Sequence, residues 1–102
     1  MADHVSFFWG KALPGKRQAV LDQMNKWDRE QRSKAKGFIR SIIAFDNSDQ
    51  EGFCGAVRWD TTENYAANAG RPEQDAWYQE LTRNVDGEIG WFDATLAGEW
   101  TA

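Results

Sequence analysis

Three of the strand-like runs in this 102-residue chain carry large apolar side chains on both of their faces. In "HVSFFWGKAL" the alternation puts Val5, Phe7 and Trp9 on one side and Phe8 on the other. "FIRSIIAFD" sets Ile39, Ile43 and Phe45 against Phe38 and Ile42, and "EIGWFDATL" sets Phe92, Ala94 and Leu96 against Ile89 and Trp91. Successive side chains of a strand point to opposite faces, so a sheet of such strands needs cover on both sides. The chain's own helices supply one cover. The other face would stand as an apolar patch beyond what monomers ordinarily tolerate. A second copy joined sheet to sheet is the simplest cover, so the sequence predicts a homodimer.

The segments between the strands read as helices. After Pro14-Gly15 the pattern turns helical to about Lys34, with Val20, Met24, Trp27 and Gln31 on one face, and Gly37 stops it. "FIRSIIAFD" and "FCGAVRW", joined by the polar turn "NSDQEG", form a hairpin. Asp60, with Glu63 three residues on, has the spacing of a capping box and starts the short helix "TTENYAANA". Pro72 opens the next helix, which places Trp77, Leu81 and Val85 on one stripe, and Asp86-Gly87 breaks it before a fourth strand, Glu88 to Leu96. The order β-α-β-β-α-β, its second helical position split in two, is the ferredoxin-like α+β plan of a four-stranded antiparallel sheet with helices on one face. One domain spans residues 1–102.

Composition narrows the function classes. At 41% hydrophobic and 27% charged residues, the chain is globular. No apolar run approaches the ~20 residues of a membrane span, and "MADHVSFFWGK" lacks the apolar centre of a signal peptide. With the single cysteine, Cys54, this predicts a cytoplasmic protein without internal disulfides. The net charge of −4 is uneven, because residues 1–50 carry nine Lys and Arg against six acids. Most of those bases lie on or just after the first helix, among Asp22, Asp28 and Glu30, and read as a solvated face rather than a polyanion site. RNA-recognition motifs share the element order, but here Glu51 replaces their base and Gly55 their next stacking aromatic, so no nucleic acid is expected. One histidine and one cysteine cannot build a His- or Cys-based metal site. No phosphate-cradling glycine loop and no nucleophile elbow occur.

The aromatic residues carry what chemistry there is. Trp59 ends the third strand and Tyr65 stands one and a half turns into the next helix, a pair that either walls a flat pocket with one hydroxyl or simply packs under the helices. Trp77 and Tyr78 point about 100° apart on their helix. Trp77 and Trp27 read as core, whereas Tyr78 either closes a pocket or sits on the surface. His4, beside Ser6 and Phe8, is either a solvated side chain or a base toward a phenolic substrate. Arg40 and Arg58 need acidic partners, such as Asp93 or Asp60. Trp100, in the tail "AGEWTA", is expected to dock on the partner subunit.

Three motifs add a resemblance: Gly37-Phe38 opening the second strand, the series Gly55, Arg58, Trp59, Asp60, Thr61, Glu63, Tyr65, and the pair Trp77-Tyr78. Together they resemble the antibiotic-biosynthesis-monooxygenase-like proteins over nearly the whole element order. The resemblance implies a dimeric α+β barrel and a monooxygenase that needs no cofactor and acts on a small electron-rich aromatic of phenol or quinol type. The same superfamily also implies an alternative, a non-catalytic homodimeric module that binds a small ligand. Trp59 and Tyr65 match the oxygenase members' Trp and Tyr, six residues apart, and with His4 become the catalytic candidates. Phe8, Trp59, Tyr65, Tyr78 and Trp91 become the substrate-binding candidates. Those members carry an Asn where Gly55 stands here and an Arg near Tyr78 and Gln79. The haem-degrading members' Asn and His fall at Phe8 and Tyr78, which implies no haem.

Overall fold

The first strand, β1 (His4–Ala12), lies inside the sheet, antiparallel to β3 (Gly52–Trp59) on one side and to β4 (Val85–Thr95) on the other. β2 (Phe38–Phe45) pairs with the far side of β3, so the spatial order is β2-β3-β1-β4. This computed structural model describes residues 3–102. Helices α1 (Arg17–Glu30), α2 (Thr62–Ala69) and α3 (Pro72–Thr82) cover one face. The architecture is the ferredoxin-like α+β plan that the order of the runs predicts.

Local chemistry moves several boundaries. Pro14 and Gly15 make a turn of their own, closed by Lys16 N–H donating to the Leu13 carbonyl at 2.8 Å, with Gly15 at φ +75°. α1 therefore begins at Arg17, not Pro14, and after Glu30 it gives way to a short 3₁₀ turn over Arg32–Lys34. The cap of α2 is Thr61 rather than Asp60. Thr61 has the extended backbone a cap requires, and its hydroxyl accepts from the Asn64 N–H at 3.0 Å. Asp60 instead accepts from the Asn64 side chain at 2.8 Å. Pro72 opens α3 as expected. Val85, expected on the stripe of α3, belongs to β4 and pairs with Ala12, because the strand continues through Asp86, paired with Lys11, into a bulge over residues 87–89 that opens with Gly87 at φ +78°.

A second bulge corrects the faces of β2. Phe38 pairs with Trp59 and Arg40 with Arg58, so Ile39 is an extra residue. Phe38 consequently shares the helix side with Ile43 and Phe45, while Ile42 faces away and the unpaired Ile39 is exposed. Strict alternation cannot foresee such a shift.

The core lies between sheet and helices, where Phe8, Ala12, Val20, Phe53, Leu81, Val85 and Ile89 pack together. Val20 and Leu81 are fully buried, each stabilising the fold by roughly 1.5–3 kcal/mol relative to exposure. α1 and α3 are tied by a reciprocal pair: Trp77 Nε1 donates to the Gln23 carbonyl at 2.8 Å, and Gln23 Nε2 donates to the Trp77 carbonyl at 3.1 Å.

The opposite face is apolar and uncovered. Across its four strands Phe92, Phe7, Ala56 and Ile42 stand in one register row, with Phe92 59% and Ile42 62% exposed. The next row ends in Arg58 and Arg40. Their partners are not Asp93 or Asp60, since those lie elsewhere. Arg58 pairs with Asp3 at 2.6 Å and with Glu99, and Arg40 pairs with Glu99 at 3.0 Å. Beyond these ion pairs Trp100 projects, 90% exposed.

Candidate functional site

Register builds the floor of a cleft on the helix side of the sheet. Residues opposite one another on antiparallel strands share a face. One row is therefore His4, Trp59 and Phe38, the next is Asp93, Ser6, Val57 and Ser41, and a third is Trp91, Phe8, Gly55 and Ile43. Over these rows lies a cavity of about 570 Å³, roofed by α1, α2 and α3. That volume suits a ligand of two or three rings.

Every predicted binding residue lines this cleft: Phe8, Trp59, Tyr65, Tyr78 and Trp91. Trp59 is buried where β3 ends, and three residues later α2 begins, which brings Tyr65 edge-on to it with ring centres 6.2 Å apart. Tyr78 and Trp91 form one wall, Trp91 Nε1 donating to the Tyr78 hydroxyl at 2.8 Å. Trp27 and Trp77, expected as core, also line it, and Trp27 Nε1 donates to Gln74 at 2.7 Å. Tyr78 and Trp77 thus serve different walls of one cavity. His4 does not line the cleft. It lies behind Tyr65, 4% exposed, its ring stacked on the phenol at 4.2 Å.

Behind the aromatic wall is a polar cluster. Ser6 Oγ donates to Asp93 Oδ1 at 2.6 Å and lies 2.9 Å from His4 Nε2. A hydroxyl has one proton to give. Since Ser6 spends it on Asp93, His4 Nε2 is the donor to Ser6, and His4 Nδ1 lies 3.3 Å from the Thr62 hydroxyl. This is not a serine-hydrolase arrangement: Asp93 Oδ1 lies 3.4 Å from His4 Nε2, on the same ring edge as the serine, so no carboxylate orients the other nitrogen. Burial, seconded by the nearby Asp93 carboxylate, holds the Tyr65 phenol above its ordinary value, while Ser6 acts in the opposite direction.

Among the described residues no Lys, Arg or His lines the cleft, whereas Asp28 and Asp75 do, and Asn25, Asn68 and Gln74 add neutral polar groups. Nor does any group of three His, Cys, Asp or Glu side chains gather to hold a metal. Among the described residues no helix is long and apolar enough to cross a membrane.

Ser6, Asp93 and Asn68 were not foreseen as site residues. Asp93 had a signal, because its parity on β4 matches Ile89 and Trp91 and sets it on the helix side. Asn68 is buried and accepts from Arg71 Nη1 at 2.8 Å, a contact made only by the turn between α2 and α3.

No family model and no curated protein matches the sequence. The fold, however, recurs in solved structures. A candidate antibiotic biosynthesis monooxygenase from Chloroflexus aurantiacus superposes with a TM-score of 0.78 at 17% identity, covering 98% of each chain. One from Nitrosomonas europaea gives 0.80 at 14% identity, over 94% of this chain and 91% of that one. A variant of SnoaB, a cofactor-independent oxygenase from Streptomyces nogalater, gives 0.70 at 12% identity, over 90% of this chain and 92% of that one. The chain thus has the fold of structures bearing the antibiotic biosynthesis monooxygenase name.

Proposed function

We propose that this protein is a homodimer that takes a small, neutral, electron-rich aromatic of phenol or quinol type into the cleft and oxygenates it without a cofactor. The observation that carries this reading is the cleft itself, about 570 Å³, walled by Phe8, Trp59, Tyr65, Tyr78 and Trp91. Such walls bind flat rings, and the absence of a cationic side chain among its described lining residues disfavours a carboxylate-bearing ligand. The fold shared with a cofactor-independent oxygenase supports the reaction class. For an anthrone-type methylene the balance closes with dioxygen alone. One oxygen atom becomes the new carbonyl, and the other leaves as water with the two methylene hydrogens. The protein's share is to exclude water, orient the ring and accept a proton. Trp59 and Tyr65 form the reactive end in this reading, with His4 stacked behind the phenol as its support rather than against the ligand, and Phe8, Tyr78 and Trp91 form the binding walls. The second copy covers the row Phe92, Phe7, Ala56 and Ile42. An exposed, unpaired Cys54 suits a reducing cytoplasm.

One observation favours the non-catalytic alternative. A side chain at Gly55, where the resemblance would set an asparagine, meets the Ile42 carbonyl and the Phe8 ring. No amide fits there, so a flat ligand would be held without that group.

Tryptophan fluorescence separates the cases. Quenching by planar phenols or quinols is expected to saturate in the parent and to weaken in Trp59→Phe and Tyr65→Phe, changes costing the fold about 1 kcal/mol or less. Oxygen uptake with a reduced anthrone then marks an oxygenase. Saturable binding with no uptake above background marks the binding module, and binding unchanged in both variants removes the cleft as the site.

A further inference from the structure

We infer that Asn68 is the polar anchor of the cleft, its amide nitrogen donating to a carbonyl oxygen of the bound aromatic; this rests on the aromatic-ligand reading above. On α2 the residues Tyr65, Asn68 and Ala69 stand at i, i+3 and i+4, and all three line the cavity. Asn68 is only 6% exposed, and a side chain so buried ordinarily has all its polar atoms partnered.

Chemistry fixes which way this amide is turned. A guanidinium only donates, so the atom 2.8 Å from Arg71 Nη1 is the oxygen, Oδ1, and Nδ2 is the arm left over. Nδ2 meets no acceptor among the described residues, where the one unpartnered side-chain polar atom sealed from solvent is Glu51 Oε2. Nδ2 is therefore a free donor, open to the cavity that its residue lines. Arg71 holds it there, because its own Nη2 is bound to Gln31 Oε1 at 2.6 Å and to Glu73 Oε2 at 3.3 Å. A cation on Oδ1 also polarises the amide and strengthens Nδ2 as a donor.

The same logic gives a second donor. An indole N–H only donates, so Trp27 Nε1 takes up Gln74 Oε1 at 2.7 Å and leaves Gln74 Nε2. Gln74 lines the same cavity, and its backbone N–H donates to the Arg71 carbonyl at 3.1 Å, so both amides hang on the α2–α3 turn. Two donors call for an oxygen with two lone pairs and no proton. The Asp28 and Asp75 carboxylates line the cavity as well and disfavour an oxyanion. A neutral ring ketone meets both conditions, whereas a hydrocarbon ring of the same shape leaves the Asn68 donor unpaired. Asn68 is thus a binding residue that sets specificity, and Arg71 a positioning residue acting through it.

Fluorenone and fluorene differ only in a carbonyl against a methylene, so equilibrium dialysis of the pair isolates the anchor from any oxygen chemistry. The ratio of fluorenone to fluorene affinity should fall about 10-fold in Asn68→Asp, which keeps an oxygen for Arg71 and removes the donor. A merely structural loss would weaken both compounds alike and leave the ratio. The carbonyl stretch of bound fluorenone should lie below its value in a hydrocarbon solvent, and should rise toward that value in the variant. A stretch at the hydrocarbon value in the parent overturns the anchor without any variant. So does a ratio that falls in Gln74→Glu but holds in Asn68→Asp. If neither compound binds the parent, the aromatic-ligand reading falls and the anchor with it; if both bind and Asn68→Asp leaves the ratio unchanged, the anchor falls alone.

Discussion

Tyr65 is where sequence reasoning and geometry meet most closely. A tyrosine six residues after a strand-ending tryptophan is visible in the string, and its place on the cleft wall follows from two short-range facts, the end of β3 at Trp59 and the cap at Thr61. What lies behind it is not visible, because Ser6 and Asp93 are 87 residues apart and meet only through strand pairing. The raised phenol gives a stability prediction. A group that holds its proton more tightly when folded contributes stability below its unfolded value, and that contribution is lost as pH rises through the folded one. Stability should therefore decline from about pH 10 upward, the ordinary phenol value. Lys11 and Lys26, raised by Asp49 and Glu80 respectively, act in the same sense. Comparing urea midpoints of the parent and Tyr65→Phe between neutral and strongly alkaline pH isolates the phenol. An equal decline in both would show that it contributes nothing.

At the scale of elements, the types of all four strands and of the helices were legible, since period-2 and period-3.6 apolar patterns alternate cleanly between Gly and Pro breaks. The boundaries that moved did so at bulges and caps. Ile39 on β2 and the stretch from Gly87 to Ile89 on β4 add residues that have no partner across the ladder, and no pattern in the string marks them. Thr61 and Asp60 are both good caps, and only backbone geometry chooses. Gly37 is the joint on which this depends. It sits at φ +84°, its carbonyl accepts the Asp60 N–H at 2.9 Å, and a methyl there would press on Asp60 and Asn64. Gly37→Ala should cost about 2 kcal/mol, a left-handed penalty plus a disturbed α2 start. Calorimetry should then show a melting temperature lower by roughly 10 °C, and an unchanged one would mean that the turn is soft.

At the scale of the whole molecule, the apolar residues that opened the sequence argument remain on an uncovered face. Phe92, Phe7 and Ile42 line up across the strands, flanked by Arg40 and Arg58 tied to Glu99. Ile42→Lys and Phe92→Lys lie on the side away from the core. Each should leave the circular dichroism spectrum intact while sedimentation at micromolar concentration shifts from dimer to monomer. A parent that sediments as a monomer would defeat the dimer outright. Gly55 has a consequence of a different kind, historical rather than mechanical. Because a side chain there would strike both the Phe8 ring and the backbone of β2, replacing Gly55 alone yields a broken hairpin, and trimming Phe8 alone yields a void. Chains of this fold with an asparagine at that point are therefore not one mutation away from this one. Between them stands a change in how β2 and β3 meet, and a lineage crossing that gap in single steps must pass through a weakened ancestor.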